Sequence, residues 1–150
     1  MFSTIDQKPG LAHRLYEAGI IITTNYSENN PPEVFTNNDA AAQTIIESWT
    51  LADSVNFIVV QIKEHARSRI LAYYPEWRQT NMVARATELV SISTVGTLSV
   101  EEVSELNSLR SAWAWIKSVR NVSNVHESNL RALVSYEDIA AYNWYTNWPE

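Results

Sequence analysis

The side chains suited to acid–base or metal chemistry are few: three imidazoles, His13, His65 and His126, and two groups of carboxylates. A zinc-gripping helix needs two histidines one turn apart on one face, and here each histidine stands alone. His126-Glu127 opens like a metalloprotease helix, but the second histidine is missing. Each imidazole is therefore read as a surface or partly satisfied group. Glu101, Glu102 and Glu105 cluster, as do Glu137 and Asp138. Acids in the first turn of a helix meet the positive end of its dipole and need no catalytic role. Perturbed catalytic carboxylates belong in clefts instead. No Gly-x-Ser-x-Gly elbow is present, and three glycines do not build a phosphate-cradling loop. The absence of cysteine removes disulfides, thiolate metal sites and thiol nucleophiles, and leaves the redox compartment open. The expectation is a non-enzymatic protein with no catalytic residue, no cofactor and no metal. An enzyme working through Glu101, Glu102 or His126 is the rival reading.

Contact chemistry is better represented. The chain of 150 residues carries six Trp and seven Tyr, residues favoured at interfaces because they bring area and a polar handle at little entropic cost. Trp113 falls on an apolar helical stripe and reads as core. Trp115 points elsewhere, and is either a contact residue or the receiver of the C-terminal segment. The C-terminus closes on Trp144, Tyr145, Trp148 and Pro149. Termini are usually polar and frayed, so this ending should dock on its own domain or on a partner. Trp115, Trp144, Tyr145, Trp148 and Arg78 are the partner-contact candidates. Lys63, Arg67, Arg69, Arg78 and Arg85 form a basic run, read as a solvated face or as the complement of an acidic head or partner.

Charge is uneven. Residues 1–53 sum to −5, residues 54–98 to +2 and residues 99–150 to −3, for a total of −6. An acidic chain is a poor binder of phosphate backbones, so nucleic acid is disfavoured. Apolar residues make up 45%, enough for a core, and apolar runs such as residues 57–60 are far too short to span a bilayer. No basic region followed by an apolar run marks a signal peptide. The expectation is a soluble protein with no membrane association.

The elements that must position these residues are mostly helices. The stretch from residue 53 to 90 centres on Pro75. Val55, Ile58, Val59, Ile62, Ala66, Ile70 and Tyr73 precede it at helical spacing, and Met82, Val83, Ala86, Leu89 and Val90 follow. Proline is excluded from helix interiors but tolerated as a first residue, and it pushes Tyr74 toward extended geometry. This predicts two helices meeting at a corner, with Tyr73, Tyr74 and Trp77 packed around the bend. Upstream, residues 1–8 read as a loose arm or short strand. Pro9 opens a short helix that Gly19 ends. Residues 20–24 form a strand, and Glu33-Val34-Phe35 pairs back across a turn. A capping box of Thr36 and Asp39, with Asn37 and Asn38 as rival caps, starts a helix over residues 40–49. Downstream, Ser99 and Glu102 cap a helix carrying Val103, Leu106, Leu109, Trp113, Ile116 and Val119. Asn124 and Glu127 repeat the capping spacing, so a break near Ser123 is expected. Ser135 and Asp138 start a last short helix. The fold class is mainly α: four to six helices, with a small α/β head over residues 1–36, including a possible β-hairpin, and a helical domain over 37–150.

Tyr74-Pro75-Glu76-Trp77-Arg78-Gln79-Thr80-Asn81-Met82 resembles a segment of short tail-fibre-associated proteins of tailed bacteriophages, in which aromatic–Pro–x–Trp–basic–Gln–x–Asn follows a helix. A Trp-rich helix like Trp113-Ala114-Trp115-Ile116 and a step like Ser123-Asn124-Val125-His126-Glu127 accompany it there. The resemblance covers about residues 53–133, and Trp148-Pro149 resembles the ends of tail-fibre assembly chaperones. It implies a non-enzymatic structural or attachment protein of the phage tail or tail fibre, oligomeric and in contact with other tail or fibre proteins. The alternative it implies is an assembly chaperone, active in the host cytoplasm and not retained in the virion. A small regulatory or nucleic-acid-binding helical protein using the face from Lys63 to Arg85 is the rival from another class.

Overall fold

A computed structural model of the chain describes residue 5, residues 7–27 and residues 30–150. The expectation for residues 1–8 and the tip of the hairpin at 28–29 fall largely outside these. Among these residues six helices and two strands follow in the order α1 (Leu11–Glu17), β1 (Ile22–Ser27), β2 (Asn30–Thr36), α2 (Asp39–Ser48), α3 (Leu51–Tyr73), α4 (Glu76–Val95), α5 (Val100–Arg131) and α6 (Tyr136–Ala141). The fold is mainly helical, with a small N-terminal α/β part. β1 and β2 pair antiparallel, with Ile22 opposite Thr36 and a register irregularity between Asn25 and Ser27. Among the described residues the sheet has these two strands only, so Pro31 and Pro32 in β2 are compatible with it.

Local chemistry explains where the helices begin and end. Gly10, at φ +85°, is the N-cap of α1, so Pro9 lies in the preceding turn and does not open the helix as expected. Gly19, at φ +74°, ends it: its N–H donates to Tyr16 and that of Ile20 to Leu15, the paired bonds of a Schellman cap. Asn38 caps α2 by accepting from Ala41 N at 3.1 Å, while the Thr36 hydroxyl turns to the Asp39 carboxylate. α2 and α3 are separate helices whose axes turn by 87°. Thr50 and Asp53 make a reciprocal capping box there, Thr50 N to Asp53 Oδ2 at 2.8 Å and Asp53 N to Thr50 Oγ1 at 3.3 Å. Pro75 separates α3 from α4 as the N-cap of α4, one residue outside the helix that it was expected to open. The expected Ser99–Glu102 box opens α5, Ser99 N to Glu102 Oε2 at 2.8 Å and Glu102 N to Ser99 Oγ at 3.1 Å.

The break expected near Ser123 does not occur; α5 runs on for 32 residues. Its buried positions Ile116, Val119, Ser123, His126 and Leu130 continue one stripe at three- and four-residue steps. No proline or glycine interrupts it, so the capping-like spacing of Asn124 and Glu127 has no helix end to serve. Glu127 instead pairs with Arg131 at 2.7 Å.

The chain divides into two compact units. The first comprises residues 1–62 and 126–144. Its core joins Leu11, Leu15 and Ile20 to Ala42 and Ile46 of α2, with Ile45 and Trp49 packed against it. Residues of α1 and α2 thus share one core. Tyr136 Oη donates to Trp49 O at 3.0 Å, and Trp49 Nε1 to the fully buried Ser54 hydroxyl at 2.8 Å. The second unit comprises residues 63–125 and 145–150. Its core is Ala66 and Ile70 of α3 with Ile116 and Val119 of α5, covered by Tyr74, Trp113, Trp115 and Trp148. Arg85 of α4 grips Glu105 of α5 through two bonds, Nε to Oε1 at 3.0 Å and Nη2 to Oε2 at 2.7 Å.

Candidate partner-contact surfaces

The corner at Pro75 is built from the ends of two helices that complete each other. The last carbonyls of α3 have no partner within their own helix. Arg78 Nη1 donates to Tyr73 O at 2.9 Å and Gln79 Nε2 to Tyr74 O at 2.7 Å, so the first turn of α4 closes the end of α3. The Arg78 guanidinium also lies 5.0 Å from the Tyr74 ring centroid. Arg78, named as a contact candidate, thus serves the corner from an exposed position.

The aromatic candidates separate by what covers them. Trp115 sits between Tyr73 and Tyr74, with ring centroids at 5.3 and 5.7 Å, and its Nε1 donates to Glu150 O at 2.7 Å. It receives the C-terminal segment, the second of its two sequence readings. Arg69 donates to the Pro149 carbonyl, and Trp148 stacks edge-on against His65 at 4.9 Å. Trp144, in the first unit, is buried. Tyr145 is 68% exposed, edge-on to His65 at 6.5 Å. Tyr73 and Trp77 were expected, with Tyr74, to be packed around the bend. They are 60% and 67% exposed, because Trp115 and the C-terminal segment already fill the space beside Tyr74.

Below the corner, the second unit has a cleft of about 410 Å³, whose apolar floor is Ala66, Ile70 and Leu71. Lys63 and Arg67 of α3 and Arg120 of α5 bring three cations to its lining, against the carboxylate of Glu76. Gln79, Ser123 and Asn124 complete it. The basic run read from sequence therefore has no single use. Lys63 and Arg67 reach this cleft, while Arg69, Arg78 and Arg85 bind the C-terminal segment, the corner and Glu105. Arg120 and Ser123 were not singled out as site residues. A serine on the apolar stripe of α5 was the available signal.

The first unit has its own cleft, of about 600 Å³, in which His13, Glu17 and Asp53 lie among Trp49, Phe57 and Val60. These groups are already engaged. His13 Nε2 is 3.5 Å from Glu17 Oε1 on the same exposed helix face. Hydrogen bonds from the side chain and backbone of Thr50 hold the Asp53 carboxyl below its usual range, which makes it a weak proton acceptor. The carboxylates of the rival enzyme reading lie outside both clefts: Glu101 is exposed and Glu102 caps α5. His126, expected at the surface or partly satisfied, is buried, with Nδ1 2.8 Å from the Tyr142 hydroxyl. Among the described residues no cluster of three or more His, Asp or Glu side chains is arranged to hold a metal ion. No helix among them is by itself long and apolar enough to cross a membrane.

Compared with protein-family models, curated proteins and solved structures, the chain matches none.

Proposed function

We propose that this chain is a non-enzymatic structural or attachment protein of a bacteriophage tail or tail fibre, acting through protein–protein contacts. The observation that carries the reading is the corner formed by the segment Tyr74–Met82, the segment of the resemblance. It leaves Tyr73 and Trp77 more than half exposed, and Tyr145 of the same unit is exposed as well. Large rings left open to water are costly unless a partner covers them, and aromatic residues dominate the energetics of interfaces. The internal ties of Trp115, Arg78 and Gln79 hold that surface in place before any partner arrives, which lowers the entropic cost of binding.

Mass spectrometry of purified particles of the encoding phage tests it. Peptides of this chain at a stoichiometry matching tail or fibre subunits are the expected result. Absence from the particle, with recovery bound to a fibre protein in infected-cell lysate, would replace the structural role by that of an assembly chaperone.

A further inference from the structure

We infer that the cationic cleft of the second unit is a binding site for an acidic peptide segment of a partner protein, one that sets carboxylates beside an aliphatic side chain. Lys63 and Arg67 lie one helical turn apart on α3, and Arg120 and Asn124 one turn apart on α5, all lining the same cleft. Arg120 makes no ion pair among the described residues. Arg67 meets Glu76 at 3.3 Å, with side chains 61% and 76% exposed. A pair so exposed is weak, and an incoming carboxylate can take over the guanidinium. The lining also contains Ser123, 5% exposed, whose hydroxyl adds a polar group to the cleft.

The rest of the lining favours a peptide over a free phosphate. Ala66, Ile70 and Leu71 form an apolar floor that an aliphatic side chain would fill and a phosphate would not. The carboxamides of Gln79 and Asn124 offer donors and acceptors suited to peptide groups. The Glu76 carboxylate would repel a dianion, yet accepts readily from a peptide N–H. Arg120, exposed, and Arg67, in a weak exposed pair, offer guanidinium groups to the cleft in a chain of net charge −6, the complementarity that steers and orients an acidic partner.

The inference rests on the reading of this chain as a contact protein, but its test is separate from the particle experiment. The probe is a labelled, end-capped peptide alternating Leu with Asp and Glu; the control has Asn and Gln in place of the acids. Fluorescence anisotropy on the full chain at low salt should show the acidic peptide bound at least about tenfold tighter than the control. Arg120→Glu should abolish the difference, and Arg120→Ala should reduce it, with far-UV circular dichroism unchanged because Arg120 is exposed. Equal binding of the two peptides would overturn the inference. So would displacement of the acidic peptide by inorganic phosphate at equal concentration, which would mark a simple anion site. Self-association that Arg120→Glu removes, without peptide affinity, would assign the cleft to a second copy of the chain.

Discussion

Gly10 shows how one residue joins local backbone to packing. Its φ of +85° lies in the left-handed region, and a Cβ built there would meet Phe57 Cγ at 2.4 Å. The glycine is needed both for the turn into α1 and for the approach of Phe57, a residue of the first unit's cleft. Gly10→Ala would cost about 1–2 kcal/mol from the backbone alone, with the steric clash in addition. Urea unfolding should show a lower midpoint at unchanged slope. An unchanged midpoint would mean that Phe57 yields freely. Ser123 and His126 make a related point. Each is polar and each lies on the buried stripe of α5, where His126 meets the Tyr142 hydroxyl.

At the scale of elements, the helices are set by their ends more than by their middles. Pro75 forbids a continuous α3–α4 helix, but the angle it permits is held by Arg78 and Gln79, which reach back to Tyr73 O and Tyr74 O. Gln79→Ala should therefore destabilise the chain by about 1 kcal/mol, the cost of leaving a half-buried carbonyl without its donor. Hydrogen exchange should report faster opening at the start of α4 than in the middle of α5. Uniform loss of protection across both helices would show that the bond is not a local clamp. α4 also shows an apolar set wider than its buried side. Met82 and Leu89 are buried, whereas Val83 and Val90 are about half exposed, so periodicity found the helix but overstated its inner face.

For the whole molecule, the titrating groups define a stability plateau. His65 is held below its usual value of 6.5, first by burial and then by the charge of Arg69. The unfolded chain therefore takes up this proton before the folded one, and stability falls as pH drops through 6.5. Hydrogen bonds from Arg85 hold Glu105 below 4.5, and those from Thr50 hold Asp53 below 3.8. Both contributions are present above those values and are lost as pH falls through the lowered ones. Tyr136 is shifted upward from 10.0, first by burial and then by the charge of Asp53, so its contribution holds below pH 10 and is lost above it. The expected profile of urea midpoint against pH is flat between these limits, with a step below pH 6.5 and a steeper fall below 4.5. His65→Gln should remove the first step and leave the second. Persistence of the first step in that variant would assign it to another group.

The sequence by itself determined the mainly helical class, the corner at Pro75, the hairpin and the starts of α5 and α6. Each depends on residues a few positions apart: a proline without an N–H, a serine three residues before an acid, a β-branched run before a turn. Tertiary structure decided which rings stay open. Trp115 and Trp148 are half covered and Trp144 is buried, while Tyr73 and Trp77 are exposed, because burial depends on partners tens of residues away. It also decided the unbroken course of α5 and the cleft that gathers Lys63, Arg67 and Arg120. No spacing in the chain encodes that meeting of α3 with α5; the packing of Ala66 and Ile70 on Ile116 and Val119 produces it.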